Sequence, residues 1–500
     1  MKQKKSRNRF LLIAPLLIVT LSVVLSACHN VPDTDTQDTE SVERVESIES
    51  NETLETSEIG QSDSESQTQA LTETETQPDY SHEVGESNGS KGLIYSLVGD
   101  RYYVTGLGSC QAVNLVVPDR YNGLPVTAIA DRVFYSNSSV VTIHLGKNIT
   151  HVGDSAFSGC KKLERVYMPK RLERLGDNAF ASCSKLIEIT VPEGITSLYK
   201  TFYNCTNLKR VTLPSTLTEI GESSFGRCQS LVNITIPEGV TSIGVSAFNM
   251  CTSLEGITIP DGVGVIPKEA FLECKSMTYA VLGKGITDIG ERAFASCSSM
   301  KSVTIPDGVT SIGKYAFSGC GIETLILPDS VVEIGGYAFS GCGNVKTAKL
   351  PARVNNKTAE RWFQGCESLE WATVPEGVTT LDYTFSGCLA LTEVELPSTL
   401  KYIWSSAFRA CKRFESFTVP DGVIQIGADA FGSCDALAEI TLPKTLDYID
   451  DLAFNGNMAM KRINYAGNCE RWRVIGPQPT RYTVLWPDCT VVCSDGELEY

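Results

Sequence analysis

Eighteen cysteines and four histidines are the side chains of this 500-residue chain best suited to nucleophilic, redox or metal chemistry. The histidines are His29, His82, His144 and His151. None belongs to a His-Glu-x-x-His pair, and neither a Gly-x-Ser-x-Gly elbow nor a phosphate-binding glycine loop occurs in a strand–helix context. His144 is expected to point outward from a strand, where it and His151 read as solvated surface groups more readily than as metal ligands. No catalytic residue, metal or cofactor is expected, and the chain reads as a non-enzyme.

The cysteines carry a stronger pattern. Thirteen of them, Cys160, Cys183, Cys205, Cys228, Cys251, Cys274, Cys297, Cys320, Cys342, Cys366, Cys388, Cys411 and Cys434, each follow a phenylalanine by three residues. The phenylalanines themselves recur from Phe134 to Phe454 at intervals of 22 to 24 residues, and Asn137 and Asn457 replace cysteine in the first and last units. Cysteines at one place in every repeat should stack in a ladder, with neighbours about 5 Å apart. A disulfide needs Cβ atoms roughly 3.5–4.5 Å apart, and a straight line of thiols cannot converge tetrahedrally on zinc. The thirteen are therefore expected to be free core thiols, small hydrophobes with a weak donor. Cys469, Cys489 and Cys493, beyond the repeats, are the ones expected to pair, with the pairing left open.

The elements that position this ladder follow from one clean unit. Ile236-Pro237-Glu238-Gly239-Val240 leads to Ile243-Gly244, Ala247-Phe248, Cys251, Leu254, Ile257 and Ile259. A single unit buries little by itself, so its apolar positions must face those of its neighbours. Leu254, Ile257 and Ile259 have the spacing of a strand entered from a turn, and in-phase units stack such strands in parallel. Fifteen units at about 4.8 Å give a sheet on the order of 70 Å long. Pro260-Asp261-Gly262 ends the strand, because proline lacks the donor and glycine permits φ > 0. Stretches such as Asp154-Ser155-Ala156-Phe157 read as short helical turns. The predicted fold is an α/β repeat, a leucine-rich-repeat solenoid with a parallel sheet on the concave face and short helical turns opposite.

The repeat spelling I-G-x-x-A-F-x-x-C-x-x-L-x-x-V-x-I-P-x-G-V closely resembles the BspA-like leucine-rich-repeat proteins of bacterial surfaces. Leu93 to Val126, with Gly106-Leu107-Gly108-Ser109-Cys110, resembles that family's N-terminal cap. Tyr465-Ala466-Gly467, Trp472 and Cys493-Ser494-Asp495-Gly496 resemble its C-terminal end. The resemblance implies binding, since described members act as adhesins toward host matrix proteins, epithelial cells or other bacteria.

The N-terminus is similar to that of bacterial lipoproteins. Lys2, Lys4, Lys5, Arg7 and Arg9 precede an apolar run from Phe10 to about Val24, closed by Leu25-Ser26-Ala27-Cys28. That likeness implies cleavage before Cys28 and lipid attachment to it, placing the protein on the outside of the membrane. The expected organisation is a signal peptide over 1–27, an acidic disordered tether over 28–90 and an N-terminal cap over 91–130. A solenoid over 131–463 and a C-terminal cap over 464–500 complete it.

Charge supports this division. The net charge is −16, yet residues 31–90 hold 17 acidic groups against the single base Arg44, leaving the chain from 91 onward at −5. The acidic segment cannot bury enough apolar surface to offset its ordering entropy. As a coil its ~60 residues span roughly 40 Å, and on the order of 200 Å when stretched. No basic face is present to neutralise phosphates, so nucleic acid is not an expected partner.

A ligand is expected on the strand face, where alternate residues point to solvent. The column equivalent to Thr258 is largely threonine, which β-propensity alone favours, with His144 and Tyr167 as departures. The column equivalent to Gly256 holds Arg165, Glu188, Arg210, Tyr279, Trp371, Glu393, Glu439 and Arg462. Trp371 follows the most irregular unit, in which Trp362 occupies the usual alanine position. The candidate ligand residues are Trp371, Tyr279, Tyr167, Arg165, Arg210 and Trp362, for a protein or a glycan at a cell surface. A carbohydrate-capture accessory and a scaffold without a discrete ligand are the alternatives.

Overall fold

A computed structural model describes residues 89–478 and 488–499. The expected signal peptide, Cys28 and all but the last two residues of the expected acidic tether lie outside the described residues. From Asn114 onward the chain winds into a parallel β-solenoid, each unit contributing one coil with three faces. The first face is the expected strand, as in Gly256–Thr258, which pairs in parallel register with Tyr279–Val281 and through it with Ser302–Thr304. The second is a two-residue strand at the Ile-Gly position, as in Glu219–Ile220 between Ser197–Leu198 and Ser242–Ile243. The third carries the Ala-Phe-x-x-Cys segment.

That third face differs from the expected helical turns. Among the described residues the only α-helix is Cys469–Ile475, at the C-terminal end. Each Ala-Phe segment is instead bracketed by two left-handed residues, as at Ser155 (φ 53°) and Gly159 (φ 76°). Left-handed residues four apart cannot belong to a right-handed helix. The amides of Ser155, Phe157 and Gly159 donate to the carbonyls of Asp177, Ala179 and Ala181 in the next coil. Inter-coil bonds thus satisfy donors that a helix would have satisfied within itself.

The interior is built from ladders. All fifteen repeat phenylalanines are buried, and every consecutive pair from Phe134 to Phe454 is stacked, with centroids 5.0–6.1 Å apart. Beside them run the thirteen cysteines, unpaired and buried as expected. Each thiol donates to the carbonyl of the phenylalanine one coil earlier, from Cys160 to Phe134 (3.1 Å) through Cys434 to Phe408 (3.2 Å). The same carbonyl also accepts the amide three residues on, as Phe157 does from Cys160 (3.2 Å). Both lone pairs are used, so a donor that is also a small hydrophobe suits this place. Asn137 ends the ladder differently, its side-chain oxygen accepting the amides of Ser139 and Val140 (2.9 Å each).

Both ends are covered. The antiparallel hairpin Ile94–Val98 and Arg101–Gly106 closes the N-terminal end, where Tyr95 stacks on Tyr121 at 4.1 Å. At the other end, Thr490–Cys493 pairs with Arg462–Tyr465 and turns back into Gly496–Glu499 beside the helix Cys469–Ile475. The N-terminal hairpin extends the second face, through Leu124–Ile129 and His151–Val152, and the C-terminal hairpin extends the first.

Candidate binding face

Residues of the first strand alternate between core and solvent. In Tyr279–Val281, Ala280 is buried, whereas Tyr279 and Val281 are each 50% exposed. Tyr279 lies on Gly256 in the preceding strand, the residue it pairs with in register. A Cβ at Gly256 would sit 2.3 Å from two carbons of the Tyr279 ring, so only glycine permits this position. Backed by the sheet, the ring presents an ordered apolar surface to solvent. Two strands further on, Ile326 is 62% exposed. Tyr279, Val281 and Ile326 therefore share one face within about 10 Å along the stack.

The other expected residues are distributed more widely. Trp371 is half-buried, in register with Thr347 on one side and Glu393 on the other. It lies four strands from Tyr279, about 19 Å along the stack. Tyr167 stacks on His144 with centroids 4.3 Å apart, and burial lowers the pKa of that imidazole. Arg165 is exposed in the strand Arg165–Tyr167, and Arg210 forms an ion pair with Glu188 across neighbouring strands. Five of the six candidates thus lie along the face, Arg165 and Tyr167 on one strand and Arg210, Tyr279 and Trp371 each on another. His151 is exposed on the second face, away from the first strand that carries His144.

Trp362 is not on this face at all. It is completely buried, and its indole nitrogen has no hydrogen-bond partner, which leaves it no surface to offer a ligand. Its unit carries the break in the second face. The side-chain oxygen of Asn356 there takes the amide of Ile334 (2.8 Å) in place of a backbone carbonyl. Strand pairing resumes between Thr358–Glu360 and Thr380–Asp382. Trp362 is thus a core residue of an irregular coil, and its size accompanies the altered backbone.

A second surface feature escapes a strand-centred reading. Two residues before each phenylalanine is a left-handed position, held in successive coils by Arg292, Tyr315, Tyr337, Arg361 and Tyr383 (φ 51–61°). Tyr315 and Tyr337 stack at 4.5 Å. The Arg361 guanidinium lies over both Tyr337 (5.0 Å) and Tyr383 (4.3 Å), and Arg292 lies over Tyr315 (5.0 Å). Bulky left-handed residues are costly, and stacking with cation–π contact offsets part of that cost. Reading the repeat down this column would have found the feature.

The thiol ladder has no reactive character. Burial raises the pKa of Cys160, Cys205, Cys251 and Cys342 to about 12 each, and that of Cys183 and Cys228 well above the usual range. Nucleophilic chemistry needs the thiolate, which this core suppresses.

The sequence profile of the BspA type leucine rich repeat region matches residues 109–201, 198–301, 264–383 and 380–474. A leucine-rich repeat protein from Bacteroides ovatus ATCC 8483 is similar in structure, with 26% identity and a TM-score of 0.64. The match covers 80% of this chain and 98% of that one. A leucine rich repeat protein of T. pallidum is 27% identical, covering 42% of this chain and 88% of its own, with a TM-score of 0.32. A leucine rich cell surface protein from Faecalibacterium prausnitzii A2-165 is 22% identical over 78% of this chain and 98% of its own, with a TM-score of 0.34. A search among curated proteins finds no match. With its repeats matched from residue 109 to 474, the chain belongs to the family of BspA-type leucine-rich-repeat proteins.

Proposed function

We propose that this protein is a lipid-anchored adhesin of the bacterial cell surface, binding a protein partner through the face around Tyr279. The observation that carries this reading is the Tyr279–Val281–Ile326 surface, apolar, exposed and ordered by the packing of Tyr279 on Gly256. Exposed aromatic anchors of this kind concentrate interface energy. Proteins built on these repeats commonly serve as binding scaffolds, which supports binding over catalysis. The lipoprotein-like N-terminus ending at Cys28 and the acidic segment after it support display at a distance from the membrane.

A second reading has its own support. An aromatic ring laid flat against a sheet, with one face toward solvent, also suits a sugar ring, so Tyr279 would serve a carbohydrate-capture accessory equally well. One experiment separates the two. The purified protein is presented to glycan arrays and to panels of host-matrix and bacterial-surface proteins, beside Tyr279→Ala and Ile326→Asp. A protein adhesin loses its partner in both variants. Glycan binding lost in Tyr279→Ala but kept in Ile326→Asp selects the carbohydrate reading. No binding to either panel overturns both and leaves a scaffold.

A further inference from the structure

Three cysteines stand beyond the ladder at the C-terminal end, and the structure distinguishes among them. Cys469 opens the helix Cys469–Ile475, and Cys493 ends the strand Thr490–Cys493. Their sulfurs and a carboxylate oxygen of Asp495 lie within 4.8 Å of one another. Cys489 is also buried but takes no part in this group. Both thiols of the pair are buried, and Cys493 is pushed up to about 12 by burial and by the neighbouring Cys469.

Two hydrogen bonds hold the segments together around the pair. The Cys469 amide donates to Asp495 Oδ1 (2.8 Å), and the Ser494 amide donates to the Gly467 carbonyl (2.9 Å). Gly496 then packs against the Cys469 sulfur, which a Cβ on that glycine would meet at 3.7 Å. The two cysteines are therefore bracketed by contacts independent of any bond between them. Ladder cysteines are spent on phenylalanine carbonyls, whereas these two thiols face each other.

We propose that Cys469 and Cys493 form a disulfide that staples the C-terminal helix to the final hairpin. The oxidant is an exogenous disulfide of low molecular weight. Cys469, as thiolate, attacks it, forming a mixed disulfide and releasing one reagent thiol. The second cysteine attacks the protein sulfur of that mixed disulfide, closing the Cys469–Cys493 bond and releasing the second reagent thiol. The two protein sulfurs are oxidised, the reagent is reduced, and the two protons leave with its thiols. A metal is the weaker occupant of this group. It supplies three ligand atoms where structural zinc takes four, and one Asp495 oxygen already accepts the Cys469 amide.

The test treats the native full chain with oxidised glutathione, blocks remaining thiols with an alkylating agent, and maps peptides by mass spectrometry. The expected result is a loss of about 2 Da, a linked peptide pair holding Cys469 and Cys493, and reversal by dithiothreitol. The oxidised protein should melt a few degrees higher than the reduced one. Cys493→Ser should abolish the link; if that variant fails to fold, the wild-type peptide map decides. A stable glutathione adduct on either cysteine, a link through Cys489, an unchanged pair, or stoichiometric zinc in the native protein would each overturn the proposal.

Discussion

Tyr279 occupies the space that a side chain on Gly256 would have filled, so the most exposed aromatic ring of the first strand face depends on a glycine one coil away. The two residues are 23 apart in sequence and adjacent in the sheet. Gly256→Ala places a methyl group against the ring and must displace it. The expected outcome is a weakened partner affinity in Gly256→Ala approaching that of Tyr279→Ala, about 10-fold to 100-fold below wild type. Titration by surface plasmon resonance checks this, and unchanged affinity in both variants would remove Tyr279 from the interface.

The thiol ladder predicts silence in the native state. With burial holding ladder thiols such as Cys160 and Cys251 near 12, a thiol-specific reagent at pH 8 should leave them unmodified in folded protein. All thirteen should become reactive once the chain is unfolded in denaturant. Fast modification of the ladder without unfolding would contradict the packing described.

The same shifts set the alkaline behaviour. A thiol whose pKa is raised on folding stays protonated in the native state, while the unfolded chain releases its proton near pH 9. Stability is then full below about pH 9 and falls as pH rises toward 12, by up to about 1.4 kcal/mol per pH unit for each such thiol. Thermal melts between pH 8 and 11 should show a progressive drop in midpoint, shallower when a ladder cysteine is replaced.

Replacement within the core should be severe. Phe248→Ala deletes a ring stacked on both Phe225 and Phe271, at an expected cost of about 3–5 kcal/mol. Cys251→Ala removes a smaller side chain and its bond to the Phe225 carbonyl, at an expected cost of about 1–2 kcal/mol. Urea unfolding monitored by circular dichroism gives both differences, and their order should be preserved.

The proposed anchor is separable from the fold. Cys28→Ala should abolish incorporation of a labelled fatty acid and release the protein into the medium, without altering the melt of the solenoid. Label retained in the variant would place the lipid elsewhere.

Much of the architecture was legible because a repeat states each constraint many times. Phe at one interval and Cys three residues later leave no other phase for the coil, and that phase alone predicts buried, unpaired thiols. The third face was misread for a definite reason. Asp-Ser-Ala-Phe has a helical look locally, but its amides find carbonyls in the next coil, and an acceptor 22 residues away leaves no local trace. The candidate site was less legible still. Trp362 and Trp371 read alike as tryptophans near an irregular unit, yet one is buried completely and the other only in part.

The sequence by itself determined the solenoid, its register and the character of its core, since these follow from the period and from which side chains recur. Only the tertiary structure decided which side chains reach solvent together, because exposure depends on the neighbouring coil as much as on the residue. It placed Tyr279 on Gly256, stacked Tyr315, Tyr337, Arg361 and Tyr383 along the turn face, and brought Cys469 to Cys493 in preference to Cys489. Each of these pairs is distant in the chain and close only after the coils have stacked.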